Sequence, residues 1–358
     1  MKSAPRALFV VASLIVALIG IVSFVNTPAG FAQSGSWQSL APVSSARFAL
    51  ASADVNGTLY AVGGTFGACD GSQTLEAYDP ATNSWATKAP MPTGRYHPAA
   101  ASLGGKLYVV GGGVSCGIEL ATVEAYDPAT NSWAARAPLP APRVELRVAV
   151  VGGKLYAMGG GLTVTPPIVQ PKSDVWEYDP VANSWTAKAN MPAALLVFGI
   201  GVVNDHIYVV GGQDSTGQSN ASTYVFDPAT NTWATKAPMP TPRQYLGAAA
   251  LGGKIYAYGG LVGGRSALAE AYDPATDTWS SQPSMLTPRS EFGSAASGGK
   301  LYAVGGTSDA AGGSTNSVES YAPPADCPLA WSAKSPMPTA RASLAVGVLG
   351  GQLYAVGG

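Results

Sequence analysis

Residues 106–112 read KLYVVGG: a short apolar run closed by a Gly-Gly pair. The same element returns as LYAVGG ending at Gly64, LYAMGG at Gly160, IYVVGG at Gly212, IYAYGG at Gly260, and LYAVGG at Gly306 and Gly358. Successive closing glycines lie 48, 48, 52, 48, 46 and 52 residues apart. Trp37, Trp85, Trp133, Trp185, Trp233, Trp279 and Trp331 keep the same spacings. Outward from Gly112, HPAAASL (97–103) reads as a strand before it, joined by the tight turn Leu103-Gly104-Gly105-Lys106. TVEAYDP (122–128) reads as a third strand and NSWAARA (131–137) as a fourth. Asp127 starts the turn between these two and Pro128 fixes φ within it. Apolar runs of four to eight residues bounded by Gly, Pro, Asp and Asn are strands and turns. No stretch after residue 36 carries a helical apolar stripe of three turns. The fold class is all-β. One four-stranded sheet exposes two faces, and radial stacking of several buries both. The Tyr and Trp of each repeat are therefore expected between sheets. The glycine pairs end strands where a side chain would crowd a neighbour or φ is positive, and they lack the spacing of a nucleotide-binding fingerprint.

A period near 50 carrying Gly-Gly, Tyr-Asp and Trp resembles the kelch repeat over essentially everything after residue 36. The resemblance implies a β-propeller. Arg47 to Trp85, Arg95 to Trp133, Arg143 to Trp185, Leu195 to Trp233, Arg243 to Trp279 and Arg289 to Trp331 supply six sets of four strands. Arg341 to Gly358 supplies two more strands, and the Trp37 segment one. The reading is seven blades, the last incomplete and shared between the two ends of the chain, with six blades and a trailing unit as the alternative. The missing third strand of that blade leads to the expectation that the native protein continues past residue 358.

The first 32 residues stand apart from the repeats. Lys2 and Arg6 precede a 19-residue apolar run, residues 7–25, followed by small residues up to Ala32. That is the pattern of an export signal cleaved after Ala32. The run is also long enough to anchor the chain in a membrane. The domain organisation is thus 1–32 signal peptide or anchor and 33–358 propeller. The protein is expected outside the cytoplasm, secreted or held on the outer face of a membrane, and secreted protein is expected to begin near Gln33. Charged residues are 11% of the chain, less than half the usual share of about 25%. The net charge is -1 with no basic block, which gives no footprint for nucleic acid.

In an oxidising compartment the cysteines come first. Cys69 and Cys116 occupy nearly equivalent loops of adjacent repeats, and a disulfide between them is expected. Cys327 is left over. Three cysteines without clustered histidines make a poor metal site, and no cofactor is expected. Arg47, Arg95, Arg143, Arg243, Arg289 and Arg341 recur before the first strand of their repeats. Repetition argues for a structural role, bridging loop carbonyls or pairing with Glu76, Glu124, Glu270 and Glu319. The functional reading places Arg95, Arg143, Arg243, Arg289 and Arg341, with His97, around a channel mouth that takes acidic groups or sugar hydroxyls. The fourth repeat departs from the pattern with Leu195, Leu196, Val197 and Phe198. The third departs with the expanded loop GLTVTPPIVQPKSD (161–174). These irregularities point to a special sector around repeats three and four. The acids Asp70, Glu119, Glu145, Asp214 and Asp309 lie in or near loops, and nothing in the sequence pairs them.

Kelch propellers include copper oxidases, whose ligand set finds no match here, and sialic acid mutarotases, which keep arginines and polar residues in the channel. The leading expectation is a monomeric extracellular module binding a protein or glycan through its rim loops. The enzymatic alternative is a mutarotase-like carbohydrate enzyme at the channel mouth, favoured if His97, an arginine and a loop carboxylate converge. A structural envelope protein attached through residues 7–25 is the third reading.

Overall fold

The computed structural model describes residues 35–67, 70–165, 168–309, 313–324, 345–349 and 352–356. The expected export segment lies outside the described residues. Among those described, no helix is long and apolar enough to cross a membrane.

The second repeat folds as read. Ala99–Leu103, Lys106–Val110, Val123–Asp127 and Ser132–Arg136 form a four-stranded antiparallel sheet in sequence order. The first repeat does the same with Phe48–Val55, Thr58–Thr65, Leu75–Asp79 and Ser84–Thr87. The third, fourth and fifth begin with Arg147–Val151, Gly199–Val203 and Gly247–Leu251, and each completes a sheet of the same order. Six four-stranded sheets stand among the described residues, the construction of a β-propeller.

The sixth sheet departs from the strand assignment. Gly293–Ser297, Lys300–Val304 and Val318–Tyr321 come from the sixth repeat, but the fourth strand is Trp37–Leu40, in antiparallel register Trp37↔Tyr321 to Leu40↔Val318. The expectation that Trp37 shares an incomplete seventh sheet with residues 341–358 is corrected. Among the described residues Ala345–Leu349 pairs with Gln352–Val356 alone, as a two-stranded unit. The physical reason is the seat of the indole. Trp37 stacks on Tyr321 at 5.4 Å between ring centroids and tilts over Tyr258 at 5.3 Å. Its Nε1 donates to the Pro283 carbonyl at 2.9 Å. The other outer tryptophans are held alike. Trp85, Trp133, Trp185, Trp233 and Trp279 donate to Ala41, Ala89, Ala137, Ala189 and Ala237, each one repeat earlier. Trp37 takes the equivalent place against the fifth repeat, so the pattern runs through the N-terminal strand.

Between sheets lie clusters of Ala, Val, Leu and Tyr, such as Tyr60, Val62, Leu107, Val109 and Tyr126 with half-buried Trp133. The glycine pairs hold the ends of the sheets together. Gly64 donates its N–H to the Arg95 carbonyl of the next repeat at 2.9 Å, and the preceding Gly63 has φ +68°. A Cβ on Gly63 would stand 2.7 Å from that carbonyl oxygen, which leaves glycine as the residue that fits. Gly112, Gly160, Gly212 and Gly260 repeat this bond to Arg143, Leu195, Arg243 and Arg289. Gly306 donates to Arg47, back in the first repeat. Each innermost strand runs from this loop end to a hairpin turn such as Asn56-Gly57 or Gly104-Gly105 at the other end.

Candidate functional site

The residue two places after each recurring arginine, or after Leu195 in the fourth repeat, has a left-handed backbone. These are Ala49, His97, Glu145, Val197, Tyr245 and Glu291, with φ between 46° and 61°. Non-glycine residues rarely adopt this region, and a β-branched one such as Val197 is an outlier there. The strain is held by a circuit of backbone hydrogen bonds. Ala49 donates to Glu291, Glu291 to Tyr245, Tyr245 to Val197, Val197 to Glu145, Glu145 to His97, and His97 to Ala49, at 2.7–3.4 Å. Strained backbone of this kind gathers at functional sites.

Four of the six side chains are polar and converge. His97 Nε2 lies 3.7 Å from Glu145 Oε1 and 3.7 Å from Glu291 Oε2. The Tyr245 hydroxyl donates to Glu145 Oε1 at 3.4 Å, and its ring faces His97 at 6.2 Å. Glu145 Oε2 is buried with no hydrogen-bond partner among the described residues. Arg147, on the first strand of the third sheet, is the cation that acts on His97, Glu145 and Tyr245. His97, Arg147, Tyr245 and Glu291 line a cavity of about 460 Å³ bounded by the innermost strands.

Burial sets the protonation. It pushes the Glu145 carboxyl up to about 7, with the Glu291 charge adding to the push while Arg147 and the Tyr245 hydroxyl oppose it. Burial pushes Glu291 up to about 6, against Arg265. Burial and the neighbouring Arg147 pull His97 down to about 3. Burial pulls Arg147 down to about 10, still a cation at neutral pH. Burial and both carboxylates push the Tyr245 hydroxyl up. Near neutrality the site therefore holds a neutral imidazole, a cation, a carboxylate, and a second carboxyl that keeps or gives up its proton over a small pH range. Paired titratable groups whose environments separate their pKa values are the raw material of acid–base chemistry.

Of the residues singled out for ligand binding, the structure brings only His97 to this cavity. Arg95, Arg143, Arg243 and Arg289 are buried beneath the loops and face carboxylates: Glu124, Asp174, Glu270 (2.6 Å) and Glu319 (2.5 Å). Arg47 pairs with Glu76 at 2.6 Å. Arg289 also donates to the carbonyls of Gly305 and Ser317 and to the Ser317 hydroxyl. A guanidinium fork is suited to tying one sheet's strand ends together in this way. Arg143 additionally lies over the Trp176 ring at 4.7 Å. Arg341 lies outside the described residues.

Cys116 is disulfide-bonded. Its expected partner Cys69 lies outside the described residues, as does Cys327. The special sector expected around repeats three and four is an apolar seal: Leu195, Leu196, Val197 and Phe198 are all buried. The expanded third loop folds as a hairpin, Gly161–Thr165 with Ile168–Pro171. The Thr163 N–H donates to Glu119 of the neighbouring loop at 3.0 Å. Among the described residues no cluster of His, Cys, Asp and Glu could hold a metal ion.

Three comparisons set this geometry among known proteins. The KLHDC2/KLHL20/DRC7 Kelch-repeats domain matches residues 32–196 and again 172–358. The solved structure of YjhT superposes with a TM-score of 0.65 at 19% identity, covering 78% of this chain and 96% of that one. A likeness at that identity speaks to the fold. An F-box/kelch-repeat protein of Arabidopsis thaliana is 42% identical over 53 residues, 15% of this chain, and the match spans only 14% of the length of that relative. Repeated glycine pairs, four-stranded sheets and the double match along nearly the whole sequence agree, and the chain belongs to the kelch-repeat family.

Proposed function

We propose that the six sheets form a closed six-bladed propeller whose central channel holds an acid–base site for a small reducing sugar, interconverting its anomers. The observation that carries this reading is the convergence of His97, Glu291 and Tyr245 beside Arg147 on one cavity, with Glu145 buried behind them against His97 and Tyr245. Anomer exchange needs a base and an acid in one place. Ionised Glu291 takes the proton of the anomeric hydroxyl. The Tyr245 hydroxyl, turned from Glu145 Oε1 to the ring oxygen, gives it a proton as its bond to the anomeric carbon breaks, and protonated Glu145 passes its own proton on to Tyr245. The open-chain carbonyl turns, and the reverse transfers close the ring on its other face. Atoms and protons balance without a cofactor. Positioned acid–base groups contribute roughly 10²–10⁴-fold to a rate. His97 spaces the two carboxyls, and Arg147 offers a fork for a ring hydroxyl or a sugar carboxylate.

The test is anomer exchange of a panel of reducing sugars, neutral and carboxylated, followed by polarimetry and by magnetisation transfer between anomeric protons. Exchange above the buffer rate is expected for at least one sugar with the native chain. A rate equal to buffer across the panel would sink the reading.

Binding of a protein or glycan at the rim is the second reading. Phe66 and Ile118 favour it, being large apolar side chains more than half exposed on or beside loops that follow the glycine pairs. An extracellular location fits either reading. The Cys116 disulfide supports it, because such bonds persist in oxidising compartments. Sequencing the N-terminus of the secreted protein is the check, with a start near Gln33 expected and a retained Lys2 pointing to the anchor.

A further inference from the structure

We infer that a ligand reaches the His97–Glu291 group from the hairpin end, through the bore between the innermost strands, and not across the loop face. The inference takes the identity of the ligand from the sugar reading above, whereas the route stands on geometry alone. The cavity follows all six innermost strands from His97 to Asp54, Ser102, Val150, Val202 and Ala296. Each of these five lies two residues before its hairpin turn. On the loop side, the residues just outside the strained circuit are Tyr96, Val144, Leu196, Gln244 and Ser290, and none of them lines the cavity. They are bridged instead to the first residues of the loops: Tyr96 to Gly113, Val144 to Gly161, Leu196 to Gln213, Gln244 to Leu261, and Ser290 to Thr307. Val144 and Leu196 are buried there, and the backbone circuit passes directly beneath. The loop end is stopped by backbone bridged to the loops and by buried side chains.

The bore limits what enters. Its walls carry mostly Ala, Gly and Ser, which widen it without supplying flexible side chains that swing aside. A volume of about 460 Å³ is that of a small-ligand site. Ser52 lines it through its backbone and Cβ, while its hydroxyl is buried against Gly293 of the sixth sheet. One sugar ring with its hydroxyls fits this combination, and a polysaccharide segment has no second opening to leave by. Position 102, half-buried near the hairpin end, is then a specificity-determining point for the route.

Only two histidines are present in the chain, His97 and His206, and His206 begins a strand beside a hairpin turn. Diethyl pyrocarbonate acylates neutral imidazoles, so mass spectrometry reads the access to each separately. Ser102→Phe and Val202→Phe are expected to slow acylation of His97 at least tenfold and to leave His206 unchanged. Should these variants fold poorly, Ser102→Cys blocked after folding by a benzyl thiol reagent places the same plug in a finished ring, with identically treated native chain as the reference. Unchanged His97 acylation in the plugged proteins would overturn the inference. Slowed acylation with no anomer exchange by the native chain would keep the route and sink the sugar reading. Slowed acylation together with slowed exchange would support both.

Discussion

Trp37→Ala is expected to lower the stability of the folded chain by about 4 kcal/mol, in the range for deleting a buried tryptophan. The indole is 5% exposed, packed between Tyr258 and Tyr321, and its Nε1 is bonded to Pro283. It also anchors the strand that supplies the sixth sheet with its fourth member. Without that anchor the edge at Val318–Tyr321 loses its cover, and an open strand edge is an invitation to pairing with other chains. Trp133 provides the comparison. It makes the equivalent hydrogen bond, to Ala89, and lies tilted over Tyr126 at 5.3 Å, but it is only half-buried and lies within a sheet built from one repeat. Trp133→Ala is therefore expected to cost about 3 kcal/mol or less, with no tendency to associate. Urea denaturation of both variants, with light scattering alongside, separates the two. Equal costs and no association would mean that the N-terminal strand is no special closure.

The repeat made the fold legible, while the source of the sixth sheet's fourth strand escaped the sequence for a physical reason. Trp37-Gln-Ser-Leu and Trp331-Ser-Ala-Lys are two versions of one outer strand, and local pattern does not rank them. The choice is made by long-range register, Trp37 opposite Tyr321, and by the distant Pro283 carbonyl. The arginines are the most visible polar signal, and their repetition argues for the structural role that the structure gives to Arg47, Arg95, Arg243 and Arg289, each paired with the expected glutamate. Those four sit 27–30 residues before a glutamate that buries with them, as Arg95 does with Glu124, whereas Arg143 pairs with the more exposed Asp174. Glu145 was visible as a loop acid without a partner, but Arg147, Tyr245 and Glu291 were not singled out. The signal that could have found the last two is the position two after the arginine. It reads Ala49, His97, Glu145, Val197, Tyr245 and Glu291 around the repeats. Polar residues gather there, just before a position that stays apolar at Leu50, Pro98, Leu146, Phe198, Leu246 and Phe292, and one such position per repeat brings the polar groups together.

Glu145→Gln is expected to cut anomer exchange about 100-fold and to change how stability depends on pH. Glu145 backs the Tyr245 hydroxyl, so its loss acts on the proton delivered to the ring oxygen. In the native chain the rate should rise with pH as Glu291 ionises through about 6, and fall as Glu145 loses its proton through about 7. The profile is a narrow bell. Glutamine removes the titrating group, so the falling limb should disappear from what activity remains. Stability gives an independent reading. The folded-state pKa of Glu145 lies above its ordinary value of 4.5. Between that value and about 7 the folded chain binds more protons than the unfolded one, so the contribution of this group to stability declines as pH rises across the window and is level above it. A neutral glutamine has no such decline. Denaturation should find the variant close to the native chain at pH 4.5 and more stable by roughly 2–3 kcal/mol at pH 8. A variant less stable than the native chain at pH 8 would show that Glu145 is held as a paired carboxylate, and the acid in the proposed exchange would have to be sought elsewhere.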